Sequence, residues 1–382
     1  MLYDVAVIGA GVFGAWTAYH LRRAGLRVAL LDAYGTGNSR SSSGGESRII
    51  RMGYGADEIY TVSAMRSLTL WLEFCARTGR TLFHQTGVLW TAPADDPYTV
   101  HTRHTLALCH AHFETLGFAE LQARYPQMAF APDTSGIFEP HSGALMARRA
   151  VEAVVEDAVR DGVAYVSEAV AGPTGQGALD SVSTGSGRTI GAGAFIFACG
   201  PWLPKLFAGL LGKRIAPTRQ EVFFFGPPAG DLCFAPPAMP AWIDFSDPRG
   251  PYGLPNLEAR GFKIALDQHG PPIDPDAADR IPSAAALDAA RNFLAQRFPA
   301  LRGAPLLEAR VCQYENTSNG DFLIDRHPDF TNVWLVGGGS GHGFKHGPAV
   351  GEYVTARILD GAPVDSRYSL ATKAERHNRT VF

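Results

Sequence analysis

The first 32 residues contain the pattern that most restricts how this chain can fold. An apolar, β-forming run at 3–8 is followed by the glycine turn Gly9–Gly14 (Gly-Ala-Gly-Val-Phe-Gly). An expected helix at 15–24 leads to a second apolar strand at 28–31, and Asp32 comes directly after it. Strand, glycine turn, helix, strand and acid in this order are typical of a βαβ unit that binds a dinucleotide.

Each glycine of this turn, and the acid that follows the second strand, has a physical reason to be there. Gly9 permits the tight turn, Gly11 lets a pyrophosphate approach the helix N-terminus, and Gly14 lets helix and strand pack closely. Asp32 can accept hydrogen bonds from ribose hydroxyls, which disfavours NADP but does not separate NAD from FAD. The predicted cofactor contacts here are Gly9, Gly11, Val12, Phe13, Gly14 and Asp32.

Length and composition limit the possible classes of protein. The chain has 382 residues, enough for about two domains, and 46% hydrophobic residues, which is typical of a globular protein. A net charge of -3 gives no reason to expect nucleic acid or an anionic membrane as a partner. The N-terminus enters a strand directly, which predicts a cytoplasmic protein. Five cysteines without CxxC spacing, and histidines without a ligand-like cluster, predict neither disulfides nor a metal site.

Two further stretches combine glycine with reactive side chains. Near the C-terminus, Cys312 precedes the glycine-dense loop 337–343, and Lys345 follows it. Near the N-terminus, a Ser/Gly-rich loop runs into Arg48 and Arg51, which at a spacing of three are predicted to share one helical face. Taken by itself, this stretch is better explained as a flexible surface loop with solvated arginines. A loop that wraps a phosphate or a flavin is the functional interpretation.

The order of elements predicts an interleaved architecture. Helices are expected at 58–79, over most of 101–124, at 146–161 and at 283–297, with strands between them. Segments 1–85, 145–218 and 310–382 are predicted to build a parallel-sheet dinucleotide domain. Segments 86–144 and 219–309 are predicted to build a covering domain around an antiparallel sheet.

Several blocks, in order and at characteristic spacing, cover nearly the whole chain. Together they make the chain similar to the D-amino-acid oxidase superfamily, and within it to the group of monomeric sarcosine oxidase and N-methyltryptophan oxidase. The resemblance implies an α/β fold (α+β overall) with a Rossmann-like FAD-binding domain interleaved with an antiparallel-sheet substrate domain, as in D-amino-acid oxidase or glutathione reductase. The blocks are Gly9–Gly14, Ser47–Arg51 with Tyr54-Gly, Tyr252–Pro255, Gly261–Lys263, Cys312–Thr317, Phe322–Pro328 and Ser340–Lys345.

The resemblance implies FAD as the cofactor, attached covalently through a thioether from Cys312. It implies that Lys263 lies beside the reacting end of the flavin and helps O2 accept electrons, and that Arg48 lies beside the ring. The remaining FAD contacts that it implies are Ser42, Ser43, Arg48, Ile49, Val170, Cys199, Gly200, Trp202, Gly338, Gly339, Gly341, His342, Gly343, Phe344 and Lys345.

The resemblance also implies a substrate site. Arg51 and Lys345 would bind a substrate carboxylate, and Tyr252 and Tyr314 would line the pocket. His346, next to the clamping lysine, is also predicted to contact the substrate. The partners implied are an amino acid or amine that bears a carboxylate, and O2. A monomer is expected.

Four positions depart from the family pattern. Gly44 and Asp267 stand where histidines are usual, His346 replaces an aromatic residue, and Gln313 replaces an apolar one. All four are expected close to the flavin or the substrate. They leave open a substrate that is larger, more polar or cyclic compared with sarcosine.

The predicted reaction is FAD-dependent oxidation of the C–N bond of a secondary or primary amino acid to an imine, with O2 reduced to hydrogen peroxide. A dehydrogenase of the same fold that passes electrons to a quinone or a partner protein is an alternative, as is a flavin-binding protein with little turnover. The hypothesis of an NAD-dependent dehydrogenase accounts for fewer features of the sequence, because it gives no role to Cys312 or to the C-terminal glycine loop.

Overall fold

The computed structural model describes residues 2–376 and 381. Its strands, in chain order, are β1 Leu2–Ile8, β2 Val28–Leu31, β3 Arg48–Ile50, β4 Phe83–His84, β5 Val88–Pro93, β6 Glu114–Leu116, β7 Thr134–Glu139, β8 Gly143–Leu145, β9 Ala164–Val166, β10 Ser181–Ser183, β11 Thr189–Phe197, β12 Ile215–Phe225, β13 Ala241–Asp244, β14 Pro251–Leu254, β15 Phe262–Leu266, β16 Leu306–Thr317, β17 Leu323–Arg326 and β18 Val333–Gly337. Its α-helices are α1 Val12–Arg23, α2 Glu58–Thr78, α3 Pro97–Leu108, α4 Phe118–Arg124, α5 Ala147–Arg160, α6 Leu203–Leu206, α7 Ala208–Leu211, α8 Ala284–Arg297 and α9 Gly347–Asp360.

The N-terminal strand lies inside a mostly parallel sheet, as predicted. The order is β17-β18-β11-β1-β2-β9, with β10 paired to β11. The pairs β18–β11–β1–β2–β9 are parallel, whereas β17 and β10 are antiparallel to their neighbours. Helices α5 and α9 pack on α1, and the carboxyl ends of β1, β2 and β11 open toward the α1 N-terminus. In sheets of this kind, ligands bind at that edge.

The second sheet is mostly antiparallel and has the order β16-β12-β15-β14-β13-β5-β7-β6, with one parallel pair, β13 and β5. A third, small sheet joins β3, β8 and β4. Strands β12 and β16 continue across the predicted domain boundaries at 218 and 310, and the last predicted segment, 310–382, extends beyond the described residues. The division into two domains therefore stays a prediction.

The register of the second sheet separates an apolar face from a functional one. Side chains alternate along each strand, and directly paired residues share a face. The pairs Gln220–Cys312 and Phe224–Lys263 therefore belong to one face of the sheet. The same face continues through Ala265 to Tyr252, its partner on β14.

The opposite face of this sheet is the core. It presents the aromatic side chains of Phe223, Phe225, Phe262 and Trp242, which pack against α8. Helix α8 begins where the sequence indicates, because Ser283 accepts a hydrogen bond from the Ala286 amide at 3.2 Å. Burial of this aromatic face fixes the orientation of the sheet, and so directs the polar residues of its other face toward the first sheet.

Most of the stretch 101–124 is helical, as predicted, with the short strand β6 between α3 and α4. Two local predictions were wrong. Helix α1 begins at Val12 rather than at residue 15, because Gly11 already serves as its N-cap. Arg48 and Arg51 do not share a helical face, because β3 is extended and pairs with β8. No helix in the described part of the chain combines the length and the apolar character needed to cross a membrane.

Candidate active site

A cavity of about 330 Å³ lies at the carboxyl ends of the parallel strands. We call it the dinucleotide cavity. It extends from the glycine turn after β1 past Asp32 to the end of β11 and to the C-terminal glycine loop. The Asp32 carboxylate accepts hydrogen bonds from the amides of Ala10 at 2.8 Å and Tyr34 at 2.9 Å. These bonds fix the acid against the glycine turn, although burial still raises the pKa of Asp32 above its usual value.

The residues of this cavity fit an FAD molecule. A Cβ on Gly9 would overlap the Ala198 carbonyl, and one on Gly14 would overlap the Gly9 carbonyl, so the turn can have no side chains there. Gly11 faces open space apart from Ser43, whose hydroxyl accepts a hydrogen bond from the Val12 amide at 3.1 Å. The helix N-terminus is thus exposed to the cavity, as an anionic pyrophosphate requires.

Most predicted cofactor contacts lie in the lining of this cavity. Gly14 and Gly338 do not line it: Gly14 packs helix on strand, and Gly338, with a φ of 69°, packs against Thr317. Ile49, His342 and Lys345 line a second cavity instead. The predicted residues found in the dinucleotide cavity are Gly9, Gly11, Val12, Phe13, Asp32, Ser42, Ser43, Arg48, Val170, Cys199, Gly200, Trp202, Gly339, Gly341, Gly343 and Phe344.

A second cavity of about 500 Å³, which we call the substrate cavity, lies between the C-terminal glycine loop and the functional face of the second sheet. The two cavities share Arg48, Cys312, Tyr314, Gly341 and Phe344 in their linings. They therefore meet at the Cys312 thiol. A Cβ on Gly341 would collide with the Tyr314 ring, so glycine is what allows this loop to approach β16.

Cys312 and Arg48 are in direct contact at this junction. An Arg48 Nη atom lies 3.5 Å from the Cys312 Sγ, and the same guanidinium donates hydrogen bonds to the carbonyls of Ser42 at 2.6 Å and Ser47 at 2.8 Å. The backbone of the Ser/Gly-rich loop thus holds the arginine in place. The Cys312 thiol and a fixed cation thus lie together at the place where the two cavities meet.

Arg51 and Lys345 come together although 294 positions separate them. Both are buried, with 8% and 5% of their surface exposed, and both line the substrate cavity. The Tyr54 ring joins them: the Arg51 guanidinium lies 4.4 Å from its centroid and the Lys345 ammonium 5.0 Å. Lys345 also donates to the Tyr54 hydroxyl at 2.6 Å, and Arg51 packs over Trp90 at 4.7 Å. Two buried cations in one cavity wall suit an anionic ligand.

The backbone that carries Arg51 is held by Glu139, at the end of β7. This carboxylate is 1% exposed and accepts hydrogen bonds from the amides of Met52 at 2.6 Å and Gly53 at 3.1 Å. It also accepts from the Trp90 indole at 2.7 Å. Sequence analysis missed Glu139, since no local pattern relates it to a residue 88 positions earlier.

His346 lies outside the lining of both cavities. It is fully buried behind Tyr54, with its Nε2 2.7 Å from the Tyr54 hydroxyl and its Nδ1 2.9 Å from the Ser63 hydroxyl. Burial first, and then the neighbouring Lys345, hold the pKa of His346 well below its usual value. The predicted direct contact of His346 with substrate does not fit this position. Its influence on the site passes through Tyr54.

Lys263 lies on the functional face beside the Arg48–Cys312 junction. It is 3% exposed, and its ammonium donates to the Ser47 carbonyl at 2.8 Å. Together with Arg48 and Cys312 it lines a small recess of about 30 Å³. Burial, and then the charge of Arg48, hold the pKa of Lys263 well below its ordinary value.

Gly44 also lines this recess. A side chain there would overlap the Asn38 carbonyl, so the tight loop itself requires glycine at this position.

Tyr252 and Tyr314 form a hydroxyl pair in the substrate cavity, 3.4 Å apart. The Tyr314 hydroxyl donates to the Asp267 carboxylate at 3.0 Å. Burial raises the pKa of Tyr252 to about 12, so its hydroxyl stays protonated near neutral pH. Gln313 points the other way: it lines the dinucleotide cavity and donates to the Arg40 carbonyl at 2.6 Å.

Comparison with known proteins identifies the family. The model of the family described as FAD dependent oxidoreductase matches residues 4–357. The chain is 32% identical to monomeric sarcosine oxidase of Bacillus sp. (strain NS-129), with 94% of this chain and 93% of that protein covered. It is 29% identical to N-methyl-L-tryptophan oxidase of Salmonella arizonae, with 95% and 96% covered. The crystal structure of L-proline dehydrogenase from P. horikoshii superposes with a TM-score of 0.82 at 22% identity, over 97% of both chains. The protein therefore belongs to the FAD-dependent oxidoreductase family, whose matched members act on C–N bonds.

Proposed function

We propose that this enzyme oxidises the C–N bond of an amino acid, in particular a secondary amine with an N-methyl or cyclic substituent, to the imine. The observation that carries the proposal is the pair of buried cations, Arg51 and Lys345, in a cavity that opens onto the Cys312 junction. The relatives named for sarcosine and N-methyl-L-tryptophan support the substrate class.

The residues of the substrate cavity have separate roles in this proposal. Arg51 and Lys345 bind the substrate carboxylate, and the hydroxyls of Tyr252 and Tyr314 line the space beside it. Arg48 and the backbone glycines orient the cofactor ring. FAD held in the dinucleotide cavity would supply the acceptor for the two electrons and two protons that the amine loses, and O2 would be the final acceptor, forming hydrogen peroxide. Lys263 stabilises the negative charge that develops on oxygen. The imine is released and hydrolysed in water.

Peroxide formation under air tests this function. Sarcosine and a set of larger N-methyl amino acids are compared with N-ethylmethylamine, which replaces the carboxylate of sarcosine by a methyl group. We expect peroxide in proportion to the amine consumed. We expect a rate for the carboxylate-free amine that is lower by roughly two orders of magnitude, because it lacks the carboxylate that Arg51 and Lys345 would bind. Amine oxidation that reduces an artificial acceptor but yields no peroxide would instead indicate a dehydrogenase.

Attachment of the cofactor through Cys312 is part of the proposal. Cys312→Ser keeps a polar group of similar size but removes the sulfur that would form the thioether. We expect the yellow colour of the parent protein to stay with the pellet after acid precipitation, and that of Cys312→Ser to move to the supernatant. Cys233→Ser, far from the junction, serves as the control and should behave like the parent. Colour in the parent's supernatant would exclude a covalent link.

The position of Asp267 indicates which substrate side chains the cavity would favour. Arg51 and Lys345 are buried, whereas Asp267 is half-buried and lies next to the exposed Gln268 and the turn that ends at Gly250. The cavity thus runs from a buried cationic end to a rim that carries a carboxylate. A substrate held by its carboxylate would extend its side chain toward that rim. A basic side chain is therefore favoured there.

Asp267→Asn tests this preference, because it keeps the shape of the side chain and removes its charge. N-methyl-lysine and N-methyl-norleucine have side chains of the same carbon skeleton and differ in the terminal ammonium. We expect the parent to favour the lysine derivative in kcat/KM, and the variant to lose that preference by roughly tenfold. If Asp267→Asn lowered kcat/KM equally for both substrates, Asp267 would not interact with the substrate side chain.

A further inference from the structure

One buried acid in the dinucleotide cavity has no part in the chemistry described so far. Glu315 lies on β16, three residues after Cys312, and lines the cavity. It is 8% exposed. Its Oε1 accepts a hydrogen bond from the Gly339 amide at 3.2 Å. Its Oε2 is buried and has no hydrogen-bond partner among the described residues.

Glycines surround the unpartnered oxygen. A Cβ on Gly337 would lie 3.3 Å from Oε2, and one on Gly200 would lie 3.6 Å from it. Gly337 is the last residue of β18 and Gly200 comes shortly after β11, so both lie at the edge of the parallel sheet where such folds bind dinucleotides. An orphaned polar atom is costly inside a protein unless a ligand or another group completes its hydrogen bonds. The position of Oε2 therefore indicates a partner inside the cavity.

The chemistry of the cofactor bears on the protonation state of Glu315. A dinucleotide's phosphates and ring carbonyls can only accept hydrogen bonds, and its phosphates are anionic, whereas its hydroxyls can also donate. A carboxylate would be repelled by the phosphate and carbonyl oxygens, whereas a protonated carboxyl can donate a hydrogen bond to them. The ionisable groups that face Glu315 are the Cys199 thiol and, beyond it, Asp32. Neither is a cation that would favour the ionised form.

We propose that Glu315 binds FAD as a neutral carboxylic acid, donating a hydrogen bond from Oε2 to an acceptor oxygen of the cofactor. Burial supports this assignment, since it outweighs the opposing effect of the Gly339 and Gly338 amides and raises the pKa of Glu315 to about 7. The proposal depends on the FAD dependence of the family and not on the identity of the amine substrate. Glu315 would then be a cofactor ligand whose carboxyl group ionises close to neutral pH.

The proposal predicts how the affinity for FAD depends on pH. If Glu315 is ionised in the free protein, it has to take up a proton when FAD binds. The dissociation constant for FAD should therefore be nearly constant below pH 7 and rise about tenfold for each pH unit above it. The measurement uses the full chain with Cys312→Ser, so that FAD binds reversibly, and follows flavin fluorescence from pH 6 to 9. It requires no substrate and no turnover.

Three variants in the same background separate the outcomes. Glu315→Gln keeps a donor that does not ionise, so FAD should bind about as tightly as at low pH and the rise above pH 7 should disappear. Glu315→Leu removes the donor and should weaken binding roughly tenfold at every pH. Glu168→Gln changes another carboxylate of the same cavity, one that accepts a hydrogen bond from Ser186, and should keep the parent's pH dependence.

Two results would overturn the proposal. One is a dissociation constant in the Cys312→Ser parent that does not change between pH 6 and 9. The other is a rise above pH 7 that persists in Glu315→Gln, which would assign it to another group. Glu315→Gln keeps both an acceptor for the Gly339 amide and a donor, whereas Glu315→Leu removes both. A loss of folding in the leucine variant therefore leaves the glutamine result decisive.

Discussion

Replacing Lys263 by methionine is expected to slow the reoxidation of the reduced enzyme by O2 by a factor on the order of 10²–10³. Methionine keeps the length and apolar stem of the side chain and removes the ammonium. That ammonium is 3% exposed and is held by the Ser47 carbonyl at 2.8 Å, close to the Arg48–Cys312 junction. In such a dry site, a fixed donor stabilises charge developing on oxygen far more than it would in water.

The reoxidation rate should also depend on pH in a definite direction. Burial and the charge of Arg48 hold the pKa of Lys263 well below its ordinary value. The charged form is therefore lost as pH rises through that lowered pKa, and the rate should fall with it. Stopped-flow mixing of the anaerobically reduced enzyme with oxygenated buffer measures both effects.

Lys213→Met is the matched control for this experiment. Lys213 is 79% exposed and forms a surface ion pair with Glu375, so reoxidation should be unchanged. Reduction by substrate should remain within a few-fold of the parent in both variants, because Lys263 does not line the substrate cavity. Equal reoxidation rates in Lys263→Met and the parent would remove Lys263 from the oxygen reaction.

The second large effect is expected from the buried cation pair. Arg51→Gln should lower kcat/KM for a carboxylate-bearing substrate by a factor on the order of 10²–10³, since breaking a buried charge pair costs about 2–5 kcal/mol. Lys345→Gln should have a similar effect. The two losses should not add fully, because both side chains contact the Tyr54 ring and bind one carboxylate.

A carboxylate-free amine distinguishes recognition from misfolding in these variants. Its slow oxidation should change little in Arg51→Gln, whereas a distorted site would slow both substrates. Arg66→Gln, which removes an ion pair with Glu352 on the surface, is the control for loss of an arginine. If Arg51→Gln lowered the rates for the amino acid and the amine equally, Arg51 would not be the carboxylate ligand.

Local patterns were sufficient to predict the dinucleotide unit. Strand β1, the glycine turn and Asp32 lie within 32 consecutive residues, and their chemistry follows from backbone geometry alone. The same holds for α2, whose predicted end at residue 79 is a glycine with a φ of 66°. Both features depend on residues that are close together in the sequence, so a local pattern is enough to predict them.

The composition of the substrate cavity depends on contacts that no local pattern contains. Cys312, Lys263 and Tyr252 share a face only because β16, β12, β15 and β14 pair in one register. A shift of one residue would move each side chain to the opposite face. The helical face expected for Arg48 and Arg51 was wrong for the same reason, since pairing with β8 makes that segment extended.

The positions of His346 and Glu315 show the same limit. His346 follows the clamping lysine in sequence, yet the turn at 344–346 directs it behind Tyr54 and away from the cavity. Glu315 lies within the block Cys312–Thr317, and only the approach of the loops at Gly200 and Gly339 shows that it faces the cofactor's cavity. The sequence indicated that both residues belong to segments near the site, but not where their side chains point.

Anaerobic titration of the bound flavin with N-methyl amino acids tests the proposed function most directly. We expect stoichiometric bleaching of the flavin absorbance by at least one carboxylate-bearing secondary amine. Admission of O2 should then restore the absorbance together with one equivalent of hydrogen peroxide. Arg51→Gln should require a much higher amine concentration for the same bleaching. Dithionite bleaching without a response to any amino acid in the panel would contradict the proposed activity.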